Sequence, residues 1–195
     1  MSESTIIFGF PGIGKSYAFD HQEELGLYLQ DSDSSHFHWV YEGEGFNNPV
    51  LDENGNKIPH PAWPANYAQY IELTGREQNN KPDYILVSTH EEVMKVIGDL
   101  KFRSITVVPD TSPETKEHFL NLYKERGNTQ EFIDMMDKNW EKFVKGTAMR
   151  GLSVPGEHYM IMVGPNRPYK NLYELLKNGI ESLFVMEFDK EPDNE

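Results

Sequence analysis

The chain of 195 residues contains no cysteine. This absence excludes disulfides and thiolate zinc sites. No apolar run approaches the roughly 20 residues that a helix needs to cross a bilayer. Residues 1–10 also lack the basic segment and the small-residue cleavage site of a signal peptide. Together these absences predict a cytoplasmic protein that has no membrane partner.

Basic residues are scarce, because 18 Lys and Arg face 32 Asp and Glu, which gives a formal net charge of −14. Such a surface repels nucleic-acid phosphates at long range, so the charge argues against a nucleic-acid partner, although a local basic strip would still permit one. An anionic ligand must then be held by backbone N–H groups and a few cations. The chain has only five arginines: Arg76, Arg103, Arg126, Arg150 and Arg167.

Short apolar segments alternate with helical ones along the chain. Strands are predicted at 4–10, 27–30, 84–88, 105–108 and 159–163. Helices are predicted at 14–25, 65–74, 91–100, 113–126, 129–145 and 170–177, with a left-handed C-cap at Gly127. The acidic tail from Asp189 is expected to fray. This alternation predicts an α/β fold in one domain, 1–195, with a mainly parallel five-stranded sheet covered on both faces.

Residues 9–16 read Gly-Phe-Pro-Gly-Ile-Gly-Lys-Ser, between the first predicted strand and the first predicted helix. Glycines at these positions let the backbone bend around a phosphate, and successive N–H groups at the start of a helix then point at the anion. Lys15 is expected to reach the β- and γ-phosphates of ATP, and the Ser16 hydroxyl to bind Mg²⁺. The predicted nucleotide-binding residues are Gly9, Pro11, Gly12, Ile13, Gly14, Lys15, Ser16 and Tyr17. The motif predicts a three-layer P-loop NTPase fold.

The whole chain resembles the P-loop kinases of nucleosides, nucleotides and small metabolites, the adenylate-kinase-like group. The resemblance rests on the glycine loop, the acidic cluster Asp-Ser-Asp-Ser-Ser at 31–35, and the order of the segments that follow. A looser similarity extends to phage-encoded nucleotide-kinase-like proteins. The resemblance implies a substrate-binding insertion at about 39–80, a mobile helical lid at about 110–150, and a loop near Arg167 that borders the adenine.

Two carboxylates follow the second predicted strand. Asp31 and Asp33 would share one side of a continuing strand, where they could accept a hydroxyl proton or hold Mg²⁺. A helix cap or an Asx turn explains the same residues equally well. The resembling kinases carry an acid at the end of the third strand, but this chain has Ser88-Thr89-His90 there. We therefore expect Asp31 to take the metal role and Asp31 or Asp33 to orient the acceptor.

The insertion is rich in aromatic residues, which either build a local core or offer flat faces to a base. Trp39 and Tyr67 are the predicted stacking residues, and His90 is a predicted substrate contact. A zinc site from His36, His38 and a carboxylate is a weaker alternative. In the lid, Arg126 beside Gly127 is the predicted cation for the transferring phosphoryl group. A cation that only balances the helix dipole is the competing explanation for Arg126.

These features predict an ATP- and Mg²⁺-dependent kinase with Lys15, Asp31, Asp33 and Arg126 as catalytic residues. The expected acceptor is a small molecule, a nucleoside or a nucleotide. Two alternatives remain open at this point: a kinase of a modified base in DNA, and a nucleotide-dependent switch that binds a partner and transfers no phosphate.

Overall fold

A computed structural model describes residues 3–180, and the predicted fraying from Asp189 lies outside them. Within this range five strands form one parallel sheet in the order β2-β3-β1-β4-β5. The strands are β1 (Thr5–Gly9), β2 (Leu29–Asp31), β3 (Tyr84–Val87), β4 (Ser104–Pro109) and β5 (His158–Val163). All residues of β1, β3 and β4 are buried, as expected for strands covered on both faces. The predicted α/β class with a five-stranded parallel sheet is confirmed.

Eight helices accompany these strands in the described range. They are α1 (Lys15–Asp20), α2 (Gln22–Leu25), α3 (Ser35–His38), α4 (Ala65–Gly75), α5 (Glu91–Gly98), α6 (Pro113–Glu125), α7 (Gln130–Leu152) and α8 (Leu172–Lys177). The left-handed backbone predicted at Gly127 is confirmed, with φ of 73° directly after α6. None of the helices in residues 3–180 is both long and apolar enough to cross a bilayer.

Two of the predicted helices differ from the structure. The helix predicted at 14–25 is two helices, because His21 ends α1 with φ of −109° and its Nδ1 lies 2.8 Å from the Tyr17 carbonyl oxygen. Helix α7 runs to Leu152 instead of ending near residue 145. It can do so because Gly151 lies directly on β4, where a Cβ would meet Thr106 Oγ1 at 2.8 Å.

The two faces of the sheet carry two separate apolar cores. On one face, Ile7 and Val107 belong to a cluster with the aromatic side chains of α6 and α7, among them Phe119, Tyr123 and Trp140. On the other face, strand residues that point the opposite way, such as Phe8, pack against α4 and α5. The helix residues of this second cluster include Tyr67, Ile71, Val93 and Ile97. Helices α6 and α7 are therefore part of the protein core.

The strand order fixes where a ligand can enter. The chain leaves β1 toward β2 at one edge of the sheet and leaves the adjacent β4 toward β5 at the other edge. Ligands of open α/β sheets bind at such a topological switch point, outside the carboxyl ends of the strands. In this fold the turn after β1 lies at that position.

Partly buried His158 at the start of β5 predicts a loss of stability in mild acid. Its Nδ1 lies 2.7 Å from Ser104 Oγ, and desolvation lowers its pKa from 6.5 to about 4. The unfolded chain therefore takes up a proton near pH 6.5, whereas the folded chain takes it up only near pH 4. We expect the free energy of unfolding to fall by about 1–2 kcal/mol across this interval, less than the full shift implies, because solvent screens a partly exposed ring.

Urea denaturation at several pH values measures this effect. His158→Leu should remove this part of the pH dependence, while the part due to carboxylates remains. If the variant and the wild-type protein lose stability equally between pH 6.5 and pH 4, His158 does not titrate in this way.

Candidate functional site

The glycine loop, residues 9–16, joins β1 to α1 and has a shape that only glycine allows. Gly12 and Gly14 have φ of 82° and 97°, a region that strains other residues. A Cβ on Gly12 would also lie 2.8 Å from Tyr123 Cε1. The Tyr123 hydroxyl donates a hydrogen bond to the Pro11 carbonyl at 2.8 Å. Helix α6 therefore holds the loop in place.

The backbone of this loop leaves a series of donors unused. Within residues 3–180, the N–H groups without a hydrogen-bond acceptor in the chain include those of Gly12, Gly14, Lys15, Ser16 and Tyr17. Such groups are ordinarily paired when they are not hydrated. Because these free N–H donors cluster around one turn, the loop is suited to bind an anion.

The Lys15 ammonium is held at this turn in a desolvated position. Its Nζ donates to the Gly9 carbonyl at 2.7 Å. Burial, with a smaller contribution from the nearby Arg126 charge, lowers the pKa of Lys15 from 10.5 to about 8. Asp31 and Asp33 act in the opposite direction but do not restore the ordinary pKa. An additional anion beside Lys15 would stabilise its charged form.

Asp31, the last residue of β2, lies beside the glycine loop. Its Oδ2 accepts a hydrogen bond from the Ser16 hydroxyl at 3.2 Å. Burial raises the pKa of Asp31, while the Ser16 hydrogen bond and the Lys15 charge lower it. The carboxylate and the hydroxyl thus form a pair of oxygen atoms next to the Lys15 ammonium.

Asp33 has a local structural partner. Its Oδ1 accepts a hydrogen bond from the Ser35 N–H at 2.8 Å, the Asx arrangement that was the alternative explanation for this residue. Its Oδ2 lies 3.8 Å from His36 Nε2. The side chain is exposed, so it also faces the space in front of the loop.

A cavity of about 1030 Å³ opens at this edge of the sheet. Its walls come from the turns after β1, β2 and β3, from α6, and from the start of α8. The predicted site residues that line it are Pro11, Gly12, Gly14, Lys15, Ser16, Tyr17, Asp31, Asp33, Trp39, His90 and Arg126. Residues separated by more than 100 positions in the sequence therefore converge on one space.

Gly9 and Ile13 are buried residues of the same loop. A Cβ on Gly9 would lie 2.9 Å from Lys15 Cγ, so the glycine makes room for the lysine side chain. Ile13 is fully buried and anchors the loop in the core. Neither residue lines the cavity.

Two further predicted site residues, Tyr67 and Arg167, also lie outside the cavity. Tyr67 is fully buried in the core between β1, β3 and α4, and its hydroxyl lies 2.7 Å from Ser32 Oγ. The prediction that Tyr67 stacks on a substrate is therefore wrong. Arg167 Nε lies 2.9 Å from Asp110 Oδ2, an ion pair that holds the segment after β5 against the end of β4. It does not line the cavity.

The far end of the cavity carries a stack of aromatic rings. The His38 ring lies between Trp39, at 4.1 Å and 5°, and Trp63, at 4.6 Å and 7°. His90 lines the same cavity. Partial desolvation lowers the pKa of His90, and the nearby charges of His38, Lys15 and Arg150 act in the same direction. Trp39 is thus stacked on His38, which Trp63 covers from its other side.

Sequence reasoning also missed Phe119 and Tyr123, which cover the loop. With the predicted Arg126, at the C-cap of α6, they are spaced four and three residues apart and so share one face of the helix. This spacing was the available signal. Lys170 and Asn171, at the start of α8, also line the cavity, and no local pattern in the sequence distinguishes them.

The weaker zinc alternative gains no support in the described part of the chain. No group of three or more His, Asp or Glu side chains converges there in a way that could hold a metal ion. The His36 ring instead stacks on Phe46 at 4.0 Å, and His38 stacks between the two tryptophans described above.

Comparison with known proteins identifies no family for this chain. No family model matches the chain, and no curated protein matches it. Among solved structures, it is similar to an uncharacterized protein from Eubacterium ventriosum ATCC 27560, at 15% sequence identity and a TM-score of 0.48. The match covers 95% of this chain and 99% of that chain.

Proposed function

We propose that this protein is a P-loop kinase that binds ATP with Mg²⁺ and transfers the γ-phosphoryl group to a small acceptor, a nucleoside or a nucleotide. One observation carries the proposal. The glycine loop combines unpaired N–H groups with an ammonium whose pKa burial lowers to about 8. A triphosphate supplies both the acceptors and the negative charge.

The finer features of such a fold form part of the proposal. The five-stranded parallel sheet with helices on both faces is compatible with a three-layer P-loop fold. Residues 39–80 would act as the substrate insertion. Residues 110–150 take the place of the predicted lid, but their helices α6 and α7 pack into the core and hold the loop through Tyr123, so they would cover the phosphate site as a fixed wall.

The pair formed by Ser16 and Asp31 fits a magnesium ion. Mg²⁺ prefers oxygen ligands and takes only one or two from the protein, with phosphates and waters filling its other positions. A hydroxyl and a half-buried carboxylate whose oxygen atoms lie 3.2 Å apart match that requirement. A bound Mg²⁺ would neutralise charge on the phosphate oxygens during transfer.

The proposed reaction is an in-line displacement at the γ-phosphorus. The acceptor hydroxyl forms the new O–P bond, the bond from the γ-phosphorus to the bridging oxygen breaks, and ADP leaves. Asp33 accepts the hydroxyl proton, and Lys15 and the loop N–H groups hold the phosphates. Trp39 and His90, at the far end of the cavity, would contact the acceptor.

A product screen tests the proposal. The purified chain is incubated with Mg²⁺, γ-labelled ATP and a panel of nucleosides and nucleoside monophosphates, and new labelled products are resolved by chromatography. The proposal predicts one labelled product that depends on both Mg²⁺ and the acceptor. ATP binding without any transferred label would remove the kinase assignment and leave only nucleotide binding.

Arg126 is the proposed cation for the transferring phosphoryl group. Among the described residues Arg76, Arg103 and Arg167 make ion pairs with carboxylates, whereas Arg126 makes none and lines the cavity. Arg126→Ala should lower kcat by about 100- to 1000-fold and change ATP affinity only a few-fold. Lys124→Ala removes a neighbouring exposed cation outside the cavity and serves as the control. Equal, small effects of the two changes would assign Arg126 to capping of α6.

A nucleotide-dependent switch is the second candidate, and one observation favours it. The turn after β3 has no carboxylate before Glu91, and Asp33 is engaged with the Ser35 N–H. Slow ATP hydrolysis with no acceptor, together with a change in assembly state on ATP binding, would support the switch. The third candidate, a kinase of a base in DNA, requires a salt-sensitive DNA complex, which the charge of −14 opposes.

A further inference from the structure

We infer that the Tyr17 ring is the platform on which the base of the bound nucleoside triphosphate stacks. The inference rests on the proposed function and goes beyond it, because it names the residue that recognises the base. Tyr17 lines the cavity and is 53% exposed, although its ring is large and apolar. An exposed aromatic ring in a cavity is the usual surface for a planar base.

The ring of Tyr17 is fixed before any ligand arrives. It stacks on His21 at 4.0 Å between ring centroids and 26° between planes. Tyr173 from α8 packs against it in a T-shaped contact, with 5.3 Å between ring centroids and 79° between planes. His21 is itself tied to the Tyr17 carbonyl through Nδ1. A side chain already held in this way loses little entropy when a ligand stacks on it.

The supporting ring is fixed in turn. The Tyr173 hydroxyl donates a hydrogen bond to Glu24 Oε2 at 3.0 Å, and Lys177 Nζ lies 5.8 Å from the Tyr173 ring centre. The rings of Tyr17 on α1, His21 between α1 and α2, and Tyr173 on α8 thus form one cluster. Such a cluster leaves the exposed part of Tyr17 available to the cavity.

The position of Tyr17 along the chain suits the base end of a nucleotide. It comes one residue after Ser16 and two after Lys15, so a triphosphate held by the loop leads directly to it. Trp39 and His90 line the same cavity but are grouped with His38, a residue that follows β2. The cavity therefore has two aromatic ends, and only the Tyr17 end is built on the phosphate-binding helix itself.

Other aromatic rings on the loop side of the cavity are engaged with the core. Phe119 and Tyr123 are 2% and 1% exposed and pack in the core. Phe132 and His118 also line the cavity, and their rings pack against Tyr123 and Phe119 in T-shaped contacts. Arg167, which was predicted beside the adenine, is held by Asp110. Tyr17 differs from these rings because it is exposed and lies on the phosphate-binding helix itself.

The test compares two probes that share phosphates but differ in the base. Affinities for MgATP and for magnesium tripolyphosphate are measured by calorimetry on the wild-type protein, Tyr17→Ala, Tyr17→Phe and Tyr28→Ala. Tyr28 is a 39% exposed tyrosine outside the cavity and serves as the control. We expect Tyr17→Ala to weaken MgATP by about 10- to 100-fold, with tripolyphosphate affinity changed less than about twofold. Tyr17→Phe and Tyr28→Ala should match the wild type.

Unchanged MgATP affinity in Tyr17→Ala would overturn the inference, as would an equal loss of MgATP and tripolyphosphate affinity. In both cases the wild-type protein still binds the phosphates, so the proposed function stands. Failure of the wild-type protein to bind either probe would instead remove the proposed function together with the inference.

Discussion

Lys15→Met is expected to abolish MgATP binding and, at the same time, to raise the melting temperature of the ligand-free protein. The two effects have one cause. Burial lowers the pKa of Lys15 to about 8, so the folded protein holds this charge at a cost that the ligand would offset. Methionine keeps most of the apolar stem and removes the charge. We expect a gain of about 2 kcal/mol, or roughly 5 °C.

Calorimetry for affinity and thermal unfolding for stability measure the two effects. Binding should weaken by at least about 100-fold, since the charged contact to the phosphates is lost. Lys142→Met removes a lysine from the exposed side of α7 and should change neither quantity appreciably. A Lys15→Met protein that binds MgATP normally, or that melts well below the wild type, would contradict this account of the loop.

Asp31→Asn is expected to eliminate the contribution of Mg²⁺ to ATP binding and to turnover. The binding of metal-free ATP should be preserved. The carboxylate lies 3.2 Å from the Ser16 hydroxyl and is close enough to Lys15 to shift its pKa. Asparagine has nearly the same shape but no charge. Turnover should fall by at least about 100-fold because the metal is held poorly. ATP without Mg²⁺ should bind as tightly as before or more tightly, because a negative charge near the phosphates is gone.

Asp33→Asn provides the matched comparison. Asparagine can still accept the Ser35 N–H bond, so the turn is retained and only the charge is lost. If Asp33 accepts the acceptor proton, this variant should lose transfer but keep the full enhancement of ATP binding by Mg²⁺. A Mg²⁺ enhancement that survives in Asp31→Asn and disappears in Asp33→Asn would reverse the two roles.

Local patterns in the sequence were enough to predict the sheet and most of its helices. Short apolar strands and glycine at the ends of helices carry strong local signals, and the structure has the five strands and the Gly127 C-cap where they were expected. The end of α7 was placed too early because its extension depends on the contact between Gly151 and Thr106 on β4, residues that are distant in the sequence.

The candidate site was only partly predictable for the same reason. Lys15 and Ser16 begin the helix after β1, and Asp31 ends β2, so their position at the carboxyl edge follows from the fold class alone. Tyr67 lies in an aromatic-rich segment, and its composition cannot distinguish a core residue from a binding residue. Its burial results from the packing of α4 on β1 and β3. The cover formed by Tyr123 likewise depends on how α6 lies across the loop.

Calorimetry of MgATP binding at pH 8, repeated in buffers of different ionisation enthalpy, tests the central claim most directly because it measures affinity and proton uptake together. Lys15 has a pKa of about 8, and a bound triphosphate should raise that pKa. The wild-type protein should then take up about half a proton per nucleotide, and Lys15→Met should take up none. No heat at millimolar MgATP, or the same proton uptake in both proteins, would contradict the claim that Lys15 binds the triphosphate.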